Sequence, residues 1–131
     1  MYFEDDNDEK LIFKITPEIK AWLDKIYNEH LKKFPNVSFE EQQAKLDEEL
    51  NELREAKAEC YSLDGNDIKK NLKVYEEQAD VIICCIRLIG SWHDKRASEL
   101  LDKYLNYVTI PFVLQKWELV KKREYKNNHH I

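Results

Sequence analysis

Residues 77–89 read Glu77-Gln78-Ala79-Asp80-Val81-Ile82-Ile83-Cys84-Cys85-Ile86-Arg87-Leu88-Ile89, an acidic pair that runs straight into an apolar stretch. Arg87 interrupts the stretch, and it falls well short of the roughly 20 residues that span a bilayer, so it reads as a buried helix without a membrane span. At about 100° per residue, with Glu77 as origin, Val74, Val81 and Leu88 fall roughly at +60°, +40° and +20°, Cys84 at −20° and Asp80 at −60°. Both acids therefore lie on the stripe that faces the core. The helix is expected from about Ile68 to Leu88, with Gly90 as its stop.

The same geometry occurs upstream in Glu48-Glu49-Leu50-Asn51-Glu52. With Glu49 as origin, Leu46 and Leu53 fall roughly at +60° and +40°, Ala56 at −20° and Glu52 at −60°. Ser38-Phe39-Glu40-Glu41 has the form of a capping box, which starts this helix at Ser38 and lets it run to about Glu59. Asp64-Gly65-Asn66-Asp67 supplies the turn to the next helix.

Four carboxylates on inward stripes cannot stay bare, because an unpaired buried charge costs several kcal/mol or more. Protonation, lysine partners or a divalent cation would each neutralise them. Lys45 precedes Glu49 by four residues and Lys73 precedes Glu77 by four, so intrahelical ion pairs account for part of the pattern. A single Glu-x-x-Glu is most often solvated surface, but two matched pairs within apolar stripes on consecutive helices point to a metal. Hard oxygen ligands without His or Cys select Mg²⁺, with Mn²⁺ a substitute, over zinc.

Outward from this centre the chain stays helical. Thr16-Pro17 caps a first helix whose apolar set is Ile19, Trp22, Leu23, Ile26 and Tyr27, ending near Phe34 before Pro35. Asp94 caps a fourth helix through about Tyr107, and Thr109-Ile110-Pro111 restarts a fifth from Phe112 to about Lys126. Residues 1–15 read as an acidic lead with a short extended piece at 11–15, residues 16–126 as one helical domain, and residues 127–131 as a frayed tail. With 131 residues, 2 Gly, 3 Pro and 36% charged side chains, the composition suits one all-α bundle of four to five helices.

The net charge of −5 argues against a duplex nucleic-acid binder, which must neutralise several phosphates, but leaves room for a small anion bridged by a cation. Three cysteines, two of them adjacent, make a poor disulfide framework and a poor zinc site. The acidic start does not resemble a secretory signal, and a reduced, cytoplasmic setting is expected.

Glu48-Glu49-Leu50-Asn51-Glu52 followed by Glu77-Gln78-Ala79-Asp80, flanked by Lys45-Leu46, Leu53, Ala56 and Val81-Ile82, resembles the signature of the MazG-like, all-α nucleoside triphosphate pyrophosphohydrolases. A second likeness lies in Lys116-Trp117-Glu118-Leu119-Val120-Lys121-Lys122-Arg123, which departs from the family pattern in having Val120 in place of an Asn and Asn127-Asn128 in place of a His-Gly. The resemblance implies a MazG-type bundle that forms a homodimer or homotetramer. It implies Mg²⁺ held by Glu49, Glu52, Glu77 and Asp80, and hydrolysis of a nucleoside triphosphate to the monophosphate and pyrophosphate in nucleotide-pool house-cleaning. Glu52 is the candidate general base. Lys70, Lys73, Lys116, Lys121 and Arg123 are candidate phosphate partners, Glu48 a structural neighbour.

The remaining chemistry-bearing residues have simpler readings. Trp22, Trp92 and Trp117 read as core or subunit contacts, with base stacking the sharper alternative. Cys84 and Cys85 read as small buried hydrophobes, His30 and His93 as surface groups, and His129-His130 as part of the tail. Ile82, Ile83, Ile86 and Ile89 present more apolar surface than a thin bundle covers, which favours a homo-oligomer. A ferritin-type di-iron bundle lacks its Glu-x-x-His pairs on helices 2 and 3; a non-catalytic helical nucleotide-binding or interaction module is the stronger rival.

Overall fold

The computed structural model describes residues 16–62 and 68–123, which form five α-helices: α1 (Pro17–Lys33), α2 (Phe39–Ser62), α3 (Ile68–Trp92), α4 (Lys95–Tyr104) and α5 (Ile110–Lys122). The described residues contain no strand, and no helix is long and apolar enough to cross a membrane. The acidic lead, the turn at 64–67, the stretch 124–126 expected to end α5 and the tail lie outside the described residues.

Local side-chain chemistry starts each helix. Thr16 Oγ1 accepts the Ile19 N–H at 3.2 Å, with Pro17 in the first turn, where a missing N–H costs nothing. The capping box forms in full, since Glu41 N donates to Ser38 Oγ at 3.0 Å and Ser38 N donates to Glu41 Oε1 at 3.0 Å. Asp94 Oδ1 accepts the Ala97 N–H at 3.0 Å. Thr109 caps α5, so that helix begins at Ile110, two residues before the expected Phe112, with Pro111 in its first turn.

α3 is the central element, and the other four helices pack against it. Every residue from Glu77 to Gly90 is buried. Ile82, Ile83, Ile86 and Ile89 are all covered within one chain, which removes the uncovered apolar face as a reason to expect an oligomer. Two neighbours do the covering that a single stripe would not predict: α4 and α5 flank α3 while α1 and α2 pack on it as well. α2 is further tied to the start of α4 by Gln43 Nε2 donating to Asp94 Oδ2 at 3.2 Å and by the Arg96–Asp47 ion pair at 3.0 Å.

Gly90 does not end α3. It permits a close approach, because a Cβ there would lie 2.3 Å from ring atoms of Tyr27 on α1. The helix stops instead at His93, whose φ of 53° is left-handed. The His93 N–H reaches the Ile89 carbonyl at 2.9 Å and the Asp94 N–H the Leu88 carbonyl at 3.4 Å, a Schellman-like closure in which His stands where Gly is usual. α4 closes at Tyr104 through i→i−3 bonds such as Tyr107 N to Tyr104 O at 2.9 Å, earlier than the expected Tyr107.

His30, expected at the surface, is fully buried. Arg87, the polar residue in the apolar stretch, reaches it from α3: Nη1 donates to His30 Nδ1 at 3.2 Å and to the Phe34 carbonyl at 2.8 Å, and Nε donates to Ser91 Oγ at 3.0 Å. The guanidinium thus satisfies a carbonyl at the C-terminal end of α1, where the helix dipole favours a cation. Trp117 stacks on His30 at a ring separation of 5.5 Å and is itself fully buried, donating Nε1–H to Glu29 Oε1 at 2.9 Å. Trp22 and Trp92 pack partly buried against the core, so all three tryptophans have packing roles.

Candidate metal centre

α2 and α3 bring Glu49, Glu52 and Glu77 together, with one carboxylate oxygen from each lying within 4.8 Å of the others. Oxygens opposed across a hard cation sit roughly 4–5 Å apart, twice a bond length of about 2.0–2.6 Å, so this spread matches a divalent ion bound by oxygen. Glu49 and Glu77 are buried at 3% and 4% exposure, whereas Glu52 is exposed at the edge of the stripe, a departure from the inward position its spacing suggests. Asp80, one helical turn beyond Glu77, is also buried at 5% but falls outside the 4.8 Å set.

The predicted lysine pairs both form, and a third comes from a distant helix. Lys45 Nζ lies 3.5 Å from Glu49 Oε1, Lys73 Nζ lies 2.7 Å from Glu77 Oε1, and Lys116 Nζ of α5 lies 3.6 Å from Asp80 Oδ2. Each lysine occupies one oxygen. The second oxygen of each acid, Glu49 Oε2, Glu77 Oε2 and Asp80 Oδ1, is buried without a hydrogen-bond partner. A buried acceptor left unmade costs about 1–3 kcal/mol, more when charged, and a further cation or protons would satisfy these three.

The electrostatics agree. Burial first, then the carboxylates of Asp80 and Glu52, push the Glu49 carboxyl up to about 8; Lys45 pulls against this and Glu77 adds to it. Burial likewise raises the Asp80 carboxyl to about 6, opposed by Lys116, reinforced by Glu77 and opposed again by Arg123. Burial pulls the Lys45 ammonium down, but Glu49 and Glu48 together raise it above its ordinary value. The residues present therefore fit a hard divalent cation: all-oxygen donors, orphaned lone pairs, and carboxyls that resist ionising without added positive charge.

The candidate phosphate partners divide. Lys73 and Lys116 stand at the acidic centre as partners of Glu77 and Asp80, and Arg123 at the end of α5 acts on Asp80 through its charge. Lys70 pairs with Glu59 at 3.7 Å. Lys121 faces α1, held by Glu29 and Glu118 at 2.9 Å each, so the structure does not bring it to the centre. Glu48 is exposed and pairs with Lys45 at 3.5 Å, in keeping with its position off the stripe. Cys84 and Cys85 are buried thiols; Gln42, also buried, donates Nε2–H to Cys84 Sγ at 3.1 Å, an interhelical link that its polar character hid in the sequence. Comparison with protein-family models, curated proteins and solved structures finds no match to this chain.

Proposed function

We propose that this protein is a divalent-metal-dependent nucleotide pyrophosphohydrolase of the MazG-like kind, cleaving a nucleoside triphosphate to the monophosphate and pyrophosphate. The observation that carries the reading is the convergence of Glu49, Glu52 and Glu77 within 4.8 Å, two of them buried with an unpartnered oxygen. The two acidic pairs in the sequence are the second support.

Glu49, Glu52 and Glu77 would hold Mg²⁺ or Mn²⁺, and Asp80 has its Oδ1 unpartnered one helical turn away. When bound, the cation supplies charge neutralisation for phosphate oxygens and favours ionisation of a coordinated water. The rest falls to the chain. Glu52, exposed and without a described cation partner, accepts the proton of a water whose oxygen attacks the α-phosphorus; the bond to the β-phosphate bridging oxygen breaks, and its electron pair leaves with pyrophosphate. Lys116 and Arg123 place positive charge beside Asp80 where a triphosphate would otherwise meet carboxylates. Lys45 and Lys73 hold Glu49 and Glu77 in their rotamers.

One observation favours the rival reading of a non-catalytic helical module: each buried acid already has a lysine partner. Pyrophosphate release measured across a nucleotide panel with Mg²⁺, for the wild type and Glu52→Gln, separates the two. Release that is metal-dependent and lost in the variant supports the hydrolase; no release from any nucleotide supports the module.

A further inference from the structure

A cavity of about 310 Å³ opens between α2, α3 and α4, and none of its lining residues comes from α5. The acidic centre faces the other flank of α3, where Asp80 meets Lys116 of α5. Gln78 follows Glu77 by one residue, about 100° around the helix, which turns it out of the acidic stripe and into this cavity.

Three features of the lining suit a ligand of one kind. Lys57 Nζ and Lys103 Nζ lie 5.6 and 5.3 Å from the centroid of the same ring, that of Tyr104, and neither ammonium pairs with a described carboxylate. Burial, and then the charge of Lys103, make Lys57 hold its proton less tightly than usual. Gln78, 6% exposed, borders the cavity with its side-chain amide, and its Oε1 is buried with no hydrogen-bond partner. Tyr75 and Tyr107, both exposed, line the same space and offer flat surface to a ring, whereas Tyr104 is buried with both ammoniums over it.

We propose that this cavity is a metal-independent binding site for a small heteroaromatic phosphate. The ring lies against Tyr75, Tyr107 and the Gln78 side chain, and the phosphate sits at Lys57 and Lys103. Two ammoniums without a described carboxylate partner suit a phosphate dianion. The volume is at the low end of the about 300–1,000 Å³ common for small-molecule sites, which suits one base, a sugar and one phosphate. The site goes beyond the hydrolase reading and stands without it, because no residue of the acidic centre lines the cavity.

The test is a titration of the ¹⁵N-labelled full chain in EDTA, followed by heteronuclear NMR, with adenosine and uridine 5′-monophosphates, the two nucleosides, and inorganic phosphate as separate probes. Saturable shifts of the Gln78 side-chain amide and of Lys57, Lys103 and Tyr107 are expected with at least one monophosphate. The matching nucleoside and free phosphate each bind at least tenfold more weakly. Gln78→Met, and the exposed Tyr107→Ala as a variant that does not disturb the core, each weaken binding tenfold or more. No saturable shift at millimolar monophosphate, equal binding of inorganic phosphate, shifts confined to Glu49, Glu52 and Glu77, or unchanged affinity in both variants would each overturn the proposal. Glu52→Gln leaves this titration unaltered, so the two readings fail separately.

Discussion

Lys116 Nζ lies 3.6 Å from Asp80 Oδ2, and both side chains are largely buried, so an α5 ammonium already neutralises part of the charge that a cation at the unpartnered Asp80 Oδ1 would neutralise. Lysine and metal are competitors there. Replacing Lys116 with Met keeps the stem packing and removes the charge. The metal-free variant is expected to lose on the order of 1–3 kcal/mol, since Asp80 is left unpaired. Its stabilisation by Mg²⁺ should exceed that of the wild type. Thermal melting with and without MgCl₂ reads both; identical Mg²⁺-induced shifts in the two proteins would show that Asp80 takes no part in metal binding.

The raised carboxyls give the metal-free protein a definite pH dependence. A carboxyl with a higher pKa in the folded chain than in the unfolded one binds its proton more tightly when folded, so acid favours the fold. That advantage is lost as pH rises from 4.5 through about 8 for Glu49 and from 3.8 through about 6 for Asp80. Stability in EDTA should therefore fall between pH 5 and about 8, by an amount on the order of a few kcal/mol, and the melting temperature with it. Mg²⁺ should flatten the slope, because it stabilises the ionised carboxylates. A flat metal-free profile over this window contradicts the assigned burial of Glu49.

Glu52 is the one acid of the cluster at the surface, so its replacement separates chemistry from folding. Glu52→Gln is expected to lower the turnover number for pyrophosphate release by about 10²–10⁴-fold while melting within about 0.5 kcal/mol of the wild type in EDTA. The check is a comparison of the two numbers in one preparation. Full activity in a well-folded variant removes Glu52 from the mechanism.

Two positions at the end of α3 should respond in opposite directions. His93→Gly relieves a side chain at φ 53° and is expected to raise stability by about 0.5–1 kcal/mol. Gly90→Ala places a methyl 2.3 Å from the Tyr27 ring and is expected to cost about 1–3 kcal/mol or more, as α1 is pushed off α3. Urea denaturation of both variants measures the pair. A neutral Gly90→Ala would mean that α1 packs less closely than described.

Much of the local structure was legible because its causes are local. Thr16, Ser38, Asp94 and Thr109 each cap the helix that follows with a side-chain oxygen three residues from its N–H partner, and such spacing is visible in any sequence. The Lys45–Glu49 and Lys73–Glu77 pairs are likewise one helical turn long. Gly90 misled because glycine serves two purposes, helix stop and close approach, and only the position of Tyr27 distinguishes them. His30 misled because its partners, Arg87 and Trp117, lie 57 residues and more away along the chain.

The helical class, the capping residues and the spacing of the two acidic pairs follow from residue order alone, since capping and helical spacing act over neighbouring turns. Tertiary structure decided the rest. It set Glu52 at the rim while burying Glu49 and Glu77, brought Lys116 to Asp80, and covered the isoleucines of α3 within one chain. Each of these depends on which neighbours α3 acquires on its several faces, and that is a property of how helices far apart in sequence pack, which no local spacing records.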